Sequence, residues 1–300
     1  MARVAVIGGS GFYDMPGLEG LYDVAAETPF GDPSDTIHVG RVNGVDVAFL
    51  PRHGRGHRIP PMAVNSRANI WALKSLGVRW IISVSAVGSM REHIHPLDVV
   101  VPDQLIDRTR QRAMTFFDEP GLVVHTGLGE PFSAKLSAIA ADAAEAAGAQ
   151  VHRGGTYVCI EGPQFSTRAE SEMYRSWGVD IIGMTAAPEA RLAREAEICY
   201  GVLAMVTDYD VWHESEEDVS AELVIQNLTT NAALSQEAIR LAVPSVPEAE
   251  SECECAKALE TAIVTSTEVA SPELITRYNL LVGKYMANPS SESAVTTPHS

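Results

Sequence analysis

The feature that most constrains the fold is a set of strand-length apolar runs that lack polar alternation. Residues 81–84 and 202–206 are two such runs, Ile-Ile-Ser-Val and Val-Leu-Ala-Met-Val. A strand of this kind must be covered on both faces, as in sheets that are sandwiched between helices. Because segments with helical periodicity alternate with these strands, the sequence predicts an α/β fold: a single domain with a mixed central β-sheet flanked by helices.

The predicted elements occupy most of the chain. Strands are predicted at residues 4–8, 36–42, 45–50, 80–85, 98–101, 151–160, 180–183 and 199–207. Helices are predicted at residues 63–76, 133–147, 167–177, 188–196, 221–242, 255–265 and 272–286.

Composition changes after Pro244. We expect residues 1–244 to form the main domain and residues 245–254, which are rich in Pro, Glu and Ser, to form a solvated linker. Residues 255–287 are expected to form a helical extension that packs on the same domain. Residues 288–300 are expected to form a disordered tail.

Charge and hydropathy exclude several classes of partner. The 300 residues include 39 acidic and 22 basic side chains, a formal net charge of -17. Nucleic acids and anionic membranes bind basic surfaces, and the sequence has no basic run, so neither partner is expected. No stretch approaches the roughly 18–20 consecutive apolar residues of a membrane span. The N-terminus lacks the features of a signal peptide, so we expect a cytoplasmic protein.

A glycine-rich turn, Gly8-Gly9-Ser10-Gly11, follows the first predicted strand. Glycine lets backbone N–H groups approach an anion closely, and Ser10 adds a hydroxyl donor. The turn does not match the dinucleotide-binding pattern G-x-G-x-x-G, since Asp14 stands in place of the last glycine, and it does not match a phosphate loop. On these residues alone, an anion site and a plain tight turn both remain open.

Polar side chains also follow other predicted strands. Arg52 and His53 come directly after the third strand, and Ser85 and Ala86 stand at the end of the fourth. Ligand sites in open α/β sheets gather at the carboxyl ends of strands. Arginine offers a planar fork for phosphate oxygens, and a histidine beside it can donate as well. A surface arginine near a turn is the alternative interpretation.

Two more strand ends carry candidate residues. Met184 and Thr185 follow the strand predicted at 180–183, and Asp208 and Asp210 follow the longest apolar run. Two carboxylates so close to a buried strand are costly to place unless a ligand or a proton uses them. One carboxyl could stay protonated and act as an acid while the other accepts a hydrogen bond. A surface turn is the alternative.

Together and in this order, these segments resemble the branch of the trimeric purine nucleoside phosphorylase family that cleaves 5′-methylthioadenosine. The resemblance runs from about Val4 to Val243 and includes residues 28–31, 68–73, 101–104 and 165–171. It implies phosphorolysis of 5′-methylthioadenosine to adenine and 5-methylthioribose 1-phosphate, a step of purine and methionine salvage. The alternatives are a nucleoside phosphorylase of broader or 6-oxopurine specificity and a nucleoside-binding protein without activity.

The resemblance also implies a role for each candidate residue. Phosphate is implied to lie among Ser10, Arg52, His53, Ser85, the backbone of Ala86, and Thr185. The nucleoside is implied to contact Phe165, Ser166, Met184, Asp208, Asp210, Ala221 and, across the interface of a homotrimer, His125. Asp208 is the implied catalytic acid, sharing a proton with N7 of the leaving purine. No metal or organic cofactor is implied, since inorganic phosphate is a co-substrate, and the cysteines and histidines show no zinc spacing.

Substrate preference follows from the carboxylates. In the family's 6-oxopurine enzymes an Asn reads the base, whereas a carboxylate accepts from a 6-amino group, so Asp208 and Asp210 favour adenine. Gly183 stands where animal members of the family have Asn, and Ala221 stands where a Val often lines the 5′ pocket. The apolar residues 122–125 are expected to be exposed on a monomer, which supports the trimer.

The sequence has four cysteines. Cys159 and Cys199 lie in apolar runs and are expected to be small core residues. Cys253 and Cys255 form a C-x-C pair, and similar pairs in heat-stable microbial relatives can form a strained disulfide. Two free thiols at the start of a helix are the alternative.

Overall fold

The computed structural model describes residues 2–8, 17–213, 221–248 and 253–286, with the backbone alone at residues 221–226 and 228–230. The strands are β1 (Val4–Gly8), β2 (Leu18–Val24), β3 (Ile37–Val42), β4 (Val45–Pro51), β5 (Trp80–Ser89), β6 (Val99–Val101), β7 (Gln104–Asp107), β8 (Val151–Arg153), β9 (Thr156–Cys159), β10 (Ile181–Gly183) and β11 (Cys199–Tyr209). The helices are α1 (Ser66–Ser75), α2 (Ala134–Ala146), α3 (Arg168–Ser176), α4 (Ala186–Glu195), α5 (Ala221–Ser245), α6 (Pro272–Arg277) and α7 (Asn279–Met286), with short 3-10 helices at Pro61–Ala63 and Glu254–Lys257.

Within the described residues, eleven strands form one mixed sheet. Its centre is β5, which runs parallel to β1 on one side and to β11 on the other. β4 lies parallel to β1 on its far side, and β10 pairs antiparallel with the carboxyl end of β5. The predicted α/β fold, a single domain with a mixed sheet flanked by helices, is confirmed.

Two hydrophobic layers cover the sheet, one on each face. Successive residues of β5 point to opposite faces, so Ile81 packs in one layer and Ile82 in the other. Leu73 of α1 and Leu192 of α4 belong to the first layer, and Leu136 of α2 belongs to the second. Burying an aliphatic side chain of this size stabilises the fold by about 1.5–3 kcal/mol, which explains why both faces of β5 are apolar.

The sheet differs from the sequence prediction at several strands. β2 and β7 are not predicted, because most side chains of β2 are exposed and those of β7 are only half-buried. The single strand predicted at 151–160 is wrong: β8 pairs with β6, whereas β9 pairs with β7 and β10. Gly154 and Gly155 separate them with φ of 84° and 108°, a left-handed conformation that turns the chain out of its strand.

Two helix predictions at the C-terminus are also wrong. Instead of a helix at 255–265, the chain forms a 3-10 helix and turns, followed by a β-bridge between Val124 and Ile263. The helix predicted at 272–286 is two helices, which meet at Tyr278. The ring of Tyr278 is buried and stacks on Phe30, with ring centroids 6.0 Å apart. This tertiary contact accounts for the break.

Residues 253–286 pack against the same core as the rest of the chain. Leu259 and Tyr278 belong to the layer that also contains β1 and α4 side chains. The buried carboxylate of Glu197 accepts from the backbone N–H of Leu259 at 3.1 Å and from the Tyr285 hydroxyl at 2.6 Å, and it pairs with the Lys284 ammonium. Helix α5 extends one residue into the predicted linker, and residues 249–252 and the predicted tail at 288–300 lie outside the described residues.

The cysteine pairing also corrects the sequence prediction. A disulfide joins Cys199, the first residue of β11, to Cys253, whereas Cys255 is free and buried. A Cys253–Cys255 bridge and two free thiols at this pair are therefore both wrong. The remaining cysteine, Cys159 of β9, is free and buried, as expected. Among the described helices, none has the length and apolar character of a membrane span.

Candidate active site

The candidate residues converge because four neighbouring strands run in the same direction. β4, β1, β5 and β11 are parallel in that order, so their carboxyl ends lie at one edge of the sheet. Arg52 directly follows β4, Ser85 lies in β5, and Asp208 stands near the end of β11. The backbone N–H of Arg52 donates to the Gly8 carbonyl at 3.0 Å, which ties the β4 end to the β1 end. Ser10 lies outside the described residues.

Met184 and Thr185 reach this edge because β10 is antiparallel to β5. Ile182 pairs with Gly88, so the chain beyond β10 runs back along β5 toward Ala86 and Ser85. Thr185 then begins α4 as its N-cap, although its side chain makes no capping hydrogen bond. A helix N-terminus presents free N–H groups and a positive dipole end, which favours an anion at this point.

The hydroxyls at this edge are poorly satisfied. The Ser85 hydroxyl is buried and has no hydrogen-bond partner among the described residues. The Thr185 hydroxyl oxygen lies 3.3 Å from the Tyr157 hydroxyl oxygen, which is long for a hydrogen bond between two oxygen atoms. A buried hydroxyl without a partner costs about 1–3 kcal/mol, so the arrangement suits a ligand that supplies acceptors.

Tyr157 also explains the glycine at position 183. A Cβ built on Gly183 would collide with the Tyr157 hydroxyl. The tyrosine therefore occupies the space into which a side chain at position 183 would extend. It directs its hydroxyl to Thr185 from that position.

Arg52 is held by a carboxylate that the sequence analysis missed. Its guanidinium is buried and makes a bidentate pair with Glu189 of α4, and it also donates to the Ser83 hydroxyl at 2.6 Å and to the Val84 carbonyl at 3.0 Å. The Tyr200 hydroxyl donates to the same Glu189 carboxylate at 2.7 Å. Of the five N–H groups of the guanidinium, these contacts leave one Nη1 hydrogen for a ligand.

His53 is neutral in this environment. Burial and the neighbouring Arg52 charge lower the pKa of His53 to about 4. Its Nδ1 lies 2.8 Å from the Ile59 carbonyl, and since a carbonyl only accepts, Nδ1 carries the proton. The free Nε2 is then an acceptor, whereas the sequence suggested a donor at this position.

Asp208 and Asp210 form an asymmetric pair of buried carboxyl groups. Burial, only partly offset by a hydrogen bond from the Thr207 hydroxyl, raises the pKa of Asp208 to about 6, and the Asp210 charge adds to the rise. The Asp210 carboxylate instead accepts from the Ser166 hydroxyl at 2.7 Å. The Asp208 carboxyl can thereby hold a proton up to about pH 6 while the Asp210 carboxylate accepts a hydrogen bond.

A local irregularity of β11 presents Asp208 to the site. The register between β11 and β5 shifts between Val206 and Asp208, which is a β-bulge. Bulges re-aim side chains and are common next to active sites. Gly88 of β5 lies opposite, and a Cβ there would approach the Asp208 carboxylate to 3.0 Å, so a larger residue would crowd it.

Arg112 connects the segment at residues 160–161 to Met184. Its guanidinium donates to the carbonyls of Ile160 and Glu161, to the Glu161 carboxylate and to the Met184 carbonyl. Nothing in the local sequence marks Arg112, since it stands in an irregular loop. Glu189 could have been noticed as a lone carboxylate in the apolar start of α4, Ala-Ala-Pro-Glu-Ala.

The remaining candidates lie at the margins of the described site. Phe165 is 40% exposed, next to the buried Ser166. Ala221 is the first residue of α5, where the structure describes the backbone alone. The backbone N–H of His125 donates to the Ala262 carbonyl at 2.8 Å, which places the His125 backbone against residues 253–286, the C-terminal segment.

The segment around His125 differs from the expected exposed apolar surface. Leu122 is buried, Val124 pairs with Ile263, and Val123 is 44% exposed. Within one chain, the C-terminal segment thus covers most of this apolar surface. The expected exposure of this segment is therefore wrong for Leu122 and Val124, and the segment does not support a trimer.

Comparison with known proteins identifies the family of this chain. The family model described as the phosphorylase superfamily matches residues 3–244. The S-methyl-5'-thioadenosine phosphorylase of Geobacter sulfurreducens is 55% identical over 284 residues, which cover 94% of this chain and 99% of the relative. That of Hyperthermus butylicus is 51% identical over 266 residues, covering 88% and 96%.

Solved structures give the same picture. A methylthioadenosine phosphorylase from an antarctic soil metagenomic library has a TM-score of 0.89 and 52% identity, covering 93% of this chain and 98% of its own. The methylthioadenosine phosphorylase from Schistosoma mansoni in complex with adenine has a TM-score of 0.80 and 36% identity, covering 87% and 99%. With the family model spanning most of the sequence and relatives matching nearly end to end, the chain belongs to the phosphorylase superfamily.

Proposed function

We propose that this protein uses inorganic phosphate to cleave 5′-methylthioadenosine into adenine and 5-methylthioribose 1-phosphate. The observation that carries the proposal is the buried pair Asp208 and Asp210, placed on the same sheet edge as the unpartnered Ser85 hydroxyl and the Thr185 hydroxyl, whose one contact, with Tyr157, is long. The names of the curated relatives support the same substrate.

The proposed reaction replaces the C–N bond at the anomeric carbon with a C–O bond to phosphate. A phosphate oxygen attacks the anomeric carbon of the ribose, the C–N bond breaks, and its electron pair goes to the purine. Asp208 gives its proton to N7 and so stabilises the departing base. The phosphate also balances the positive charge that develops on the sugar, since both are held in one site.

The phosphate end of the site works without a large net positive charge. Glu189 neutralises the Arg52 charge, so binding depends on directed donors: the remaining Nη1 hydrogen, the Ser85 and Thr185 hydroxyls, and the N-terminus of α4. His53 Nε2 accepts the hydrogen of a protonated phosphate oxygen. Ser10 and the backbone of Ala86 complete the proposed set.

The nucleoside end reads the base through carboxyl oxygens. Asp208 and Asp210 accept from a 6-amino group, which favours adenine over a 6-oxopurine. Ser166 orients Asp210 through its hydroxyl, and Met184 lies against the ribose. Phe165, Ala221 and His125 are proposed to line the 5′ side.

A panel of nucleosides assayed with and without phosphate tests the function. We expect 5′-methylthioadenosine to be cleaved only when phosphate is present, with 5-methylthioribose 1-phosphate as the sugar product. Adenine release that proceeds equally well without phosphate would identify a hydrolase and contradict the mechanism. Rapid cleavage of inosine or guanosine, with adenine nucleosides untouched, would support 6-oxopurine specificity instead.

We also propose a homotrimer in which His125 reaches the 5′ group of a neighbour's substrate. His125→Ala is expected to raise KM for 5′-methylthioadenosine more than KM for phosphate, since the proposed contact of the imidazole is with the nucleoside. Light scattering measures the assembly, and a stable, fully active monomer would reject the proposal. Equal effects on both KM values would assign His125 a structural role.

A further inference from the structure

Three of the four cysteines meet at the amino end of β11, the opposite end of that strand from Asp208. Cys199 begins the strand, and Cys253 and Cys255 begin the C-terminal segment. The three sulfur atoms all lie within 4.8 Å of one another. Cys199 and Cys255 are buried, and Cys253 is partly buried.

The chemistry of this cluster depends on its oxidation state. In the structure the Cys199–Cys253 disulfide leaves Cys255 as the one free thiol of the cluster. A dithiol, which becomes a disulfide itself, supplies the two electrons and two protons that open the Cys199–Cys253 bond; a phosphine supplies the electrons and becomes its oxide, while water supplies the oxygen and the two protons. Three thiols then stand side by side. At zinc–sulfur bonds of about 2.3 Å, thiolates around one ion stand about 4 Å apart, which is the scale of this cluster.

The surroundings of the sulfur atoms suit a bound ion. The Arg194 guanidinium lies near enough to the Cys255 sulfur to act on it electrostatically. The charge of Arg194 offsets the negative charge that remains when three thiolates surround a divalent cation. The Ser133 hydroxyl, which caps α2, lies 3.4 Å from the Cys253 sulfur and orients it.

We propose that, once the disulfide is reduced, Cys199, Cys253 and Cys255 bind one thiophilic divalent ion of the zinc class. Thiolate sulfur is the donor that such ions prefer. The ion displaces the remaining thiol protons to solvent and joins the start of β11 to the C-terminal segment. Zinc spacing is absent from the sequence because Cys199 and Cys253 are 54 residues apart.

Cadmium titration of the reduced protein tests the site. Protein kept in a phosphine reductant should show all four cysteines as free thiols in denaturant, against two, Cys159 and Cys255, in protein purified without reductant. After the reductant is removed under argon, Cd²⁺ should bind at one equivalent per chain, with ultraviolet absorption from thiolate-to-metal charge transfer. Zn²⁺ should compete for the site, and binding should weaken as pH falls because protons compete for the thiolates.

Matched variants assign the ligands. Cys255→Ala and Cys253→Ala each remove a ligand, so each should weaken Cd²⁺ binding strongly. The loss should exceed the about 10–100-fold loss of metal affinity that follows when a residue that only supports a ligand is replaced. Cys159→Ala removes the buried cysteine of β9, outside the cluster, and should keep full binding. Undiminished binding in Cys255→Ala, no saturable binding in the reduced protein, or a disulfide that survives the reductant would each overturn the proposal.

Discussion

Asp208→Asn should lower kcat for 5′-methylthioadenosine by about 10²–10⁴-fold, the usual contribution of general acid–base catalysis. The substitution removes the ionisable proton but keeps an oxygen that can accept from the Thr207 hydroxyl. The fold should therefore persist. Because an amide can donate to an oxygen at position 6, the variant should also shift in relative preference toward 6-oxo nucleosides. Steady-state kinetics on both substrate classes measure the two effects.

The pH profile tests the same role. Burial raises the pKa of Asp208 to about 6, so the protonated acid is present below that pH and is lost above it. We expect kcat/KM to fall as pH rises above about 6, and this limb to vanish in Asp208→Asn. In Asp210→Asn the limb should move to lower pH, since the neighbouring charge that helps raise the pKa is gone. A profile that is unchanged in both variants would contradict the assignment.

Glu189→Ala should lower the free energy of unfolding by about 3–5 kcal/mol, the usual cost of removing one partner from a buried ion pair. The substitution leaves the buried Arg52 guanidinium without its counter-charge and deprives the Tyr200 hydroxyl of its acceptor. Chemical denaturation measures the loss. Glu237→Ala, which removes an exposed partner of Arg240, is the matched control and should have a much smaller effect.

A double variant separates stability from function. Replacing the pair by apolar residues, Arg52→Met with Glu189→Leu, should recover most of the stability, because neither charge then remains buried alone. Turnover by this double variant should nevertheless be low, because the Arg52 guanidinium that donates to phosphate is absent. If Glu189→Ala were no more destabilising than Glu237→Ala, Glu189 would not hold Arg52 in the way the structure indicates.

Local patterns in the sequence determined the fold class and much of the candidate site. The apolar runs of β5 and β11 predict strands that are covered on both faces, since period and burial are properties of neighbouring residues. The same runs show where strands end, and the polar residues that follow, such as Arg52 and Asp208, could be read directly. The exposed strand β2 has no such pattern and was not predictable.

Partners across the fold were decided by the tertiary structure. The pairing of Arg52 with Glu189 joins residues 137 positions apart, and the Cys199–Cys253 bridge joins residues 54 apart. The chain beyond β10 runs back toward Ser85 because β10 is antiparallel to β5. Strand order and direction depend on how whole elements pack, and a local period of two or 3.6 residues carries no information about them. The sequence therefore determined which residues stand at strand ends, and the packed sheet decided which of them meet.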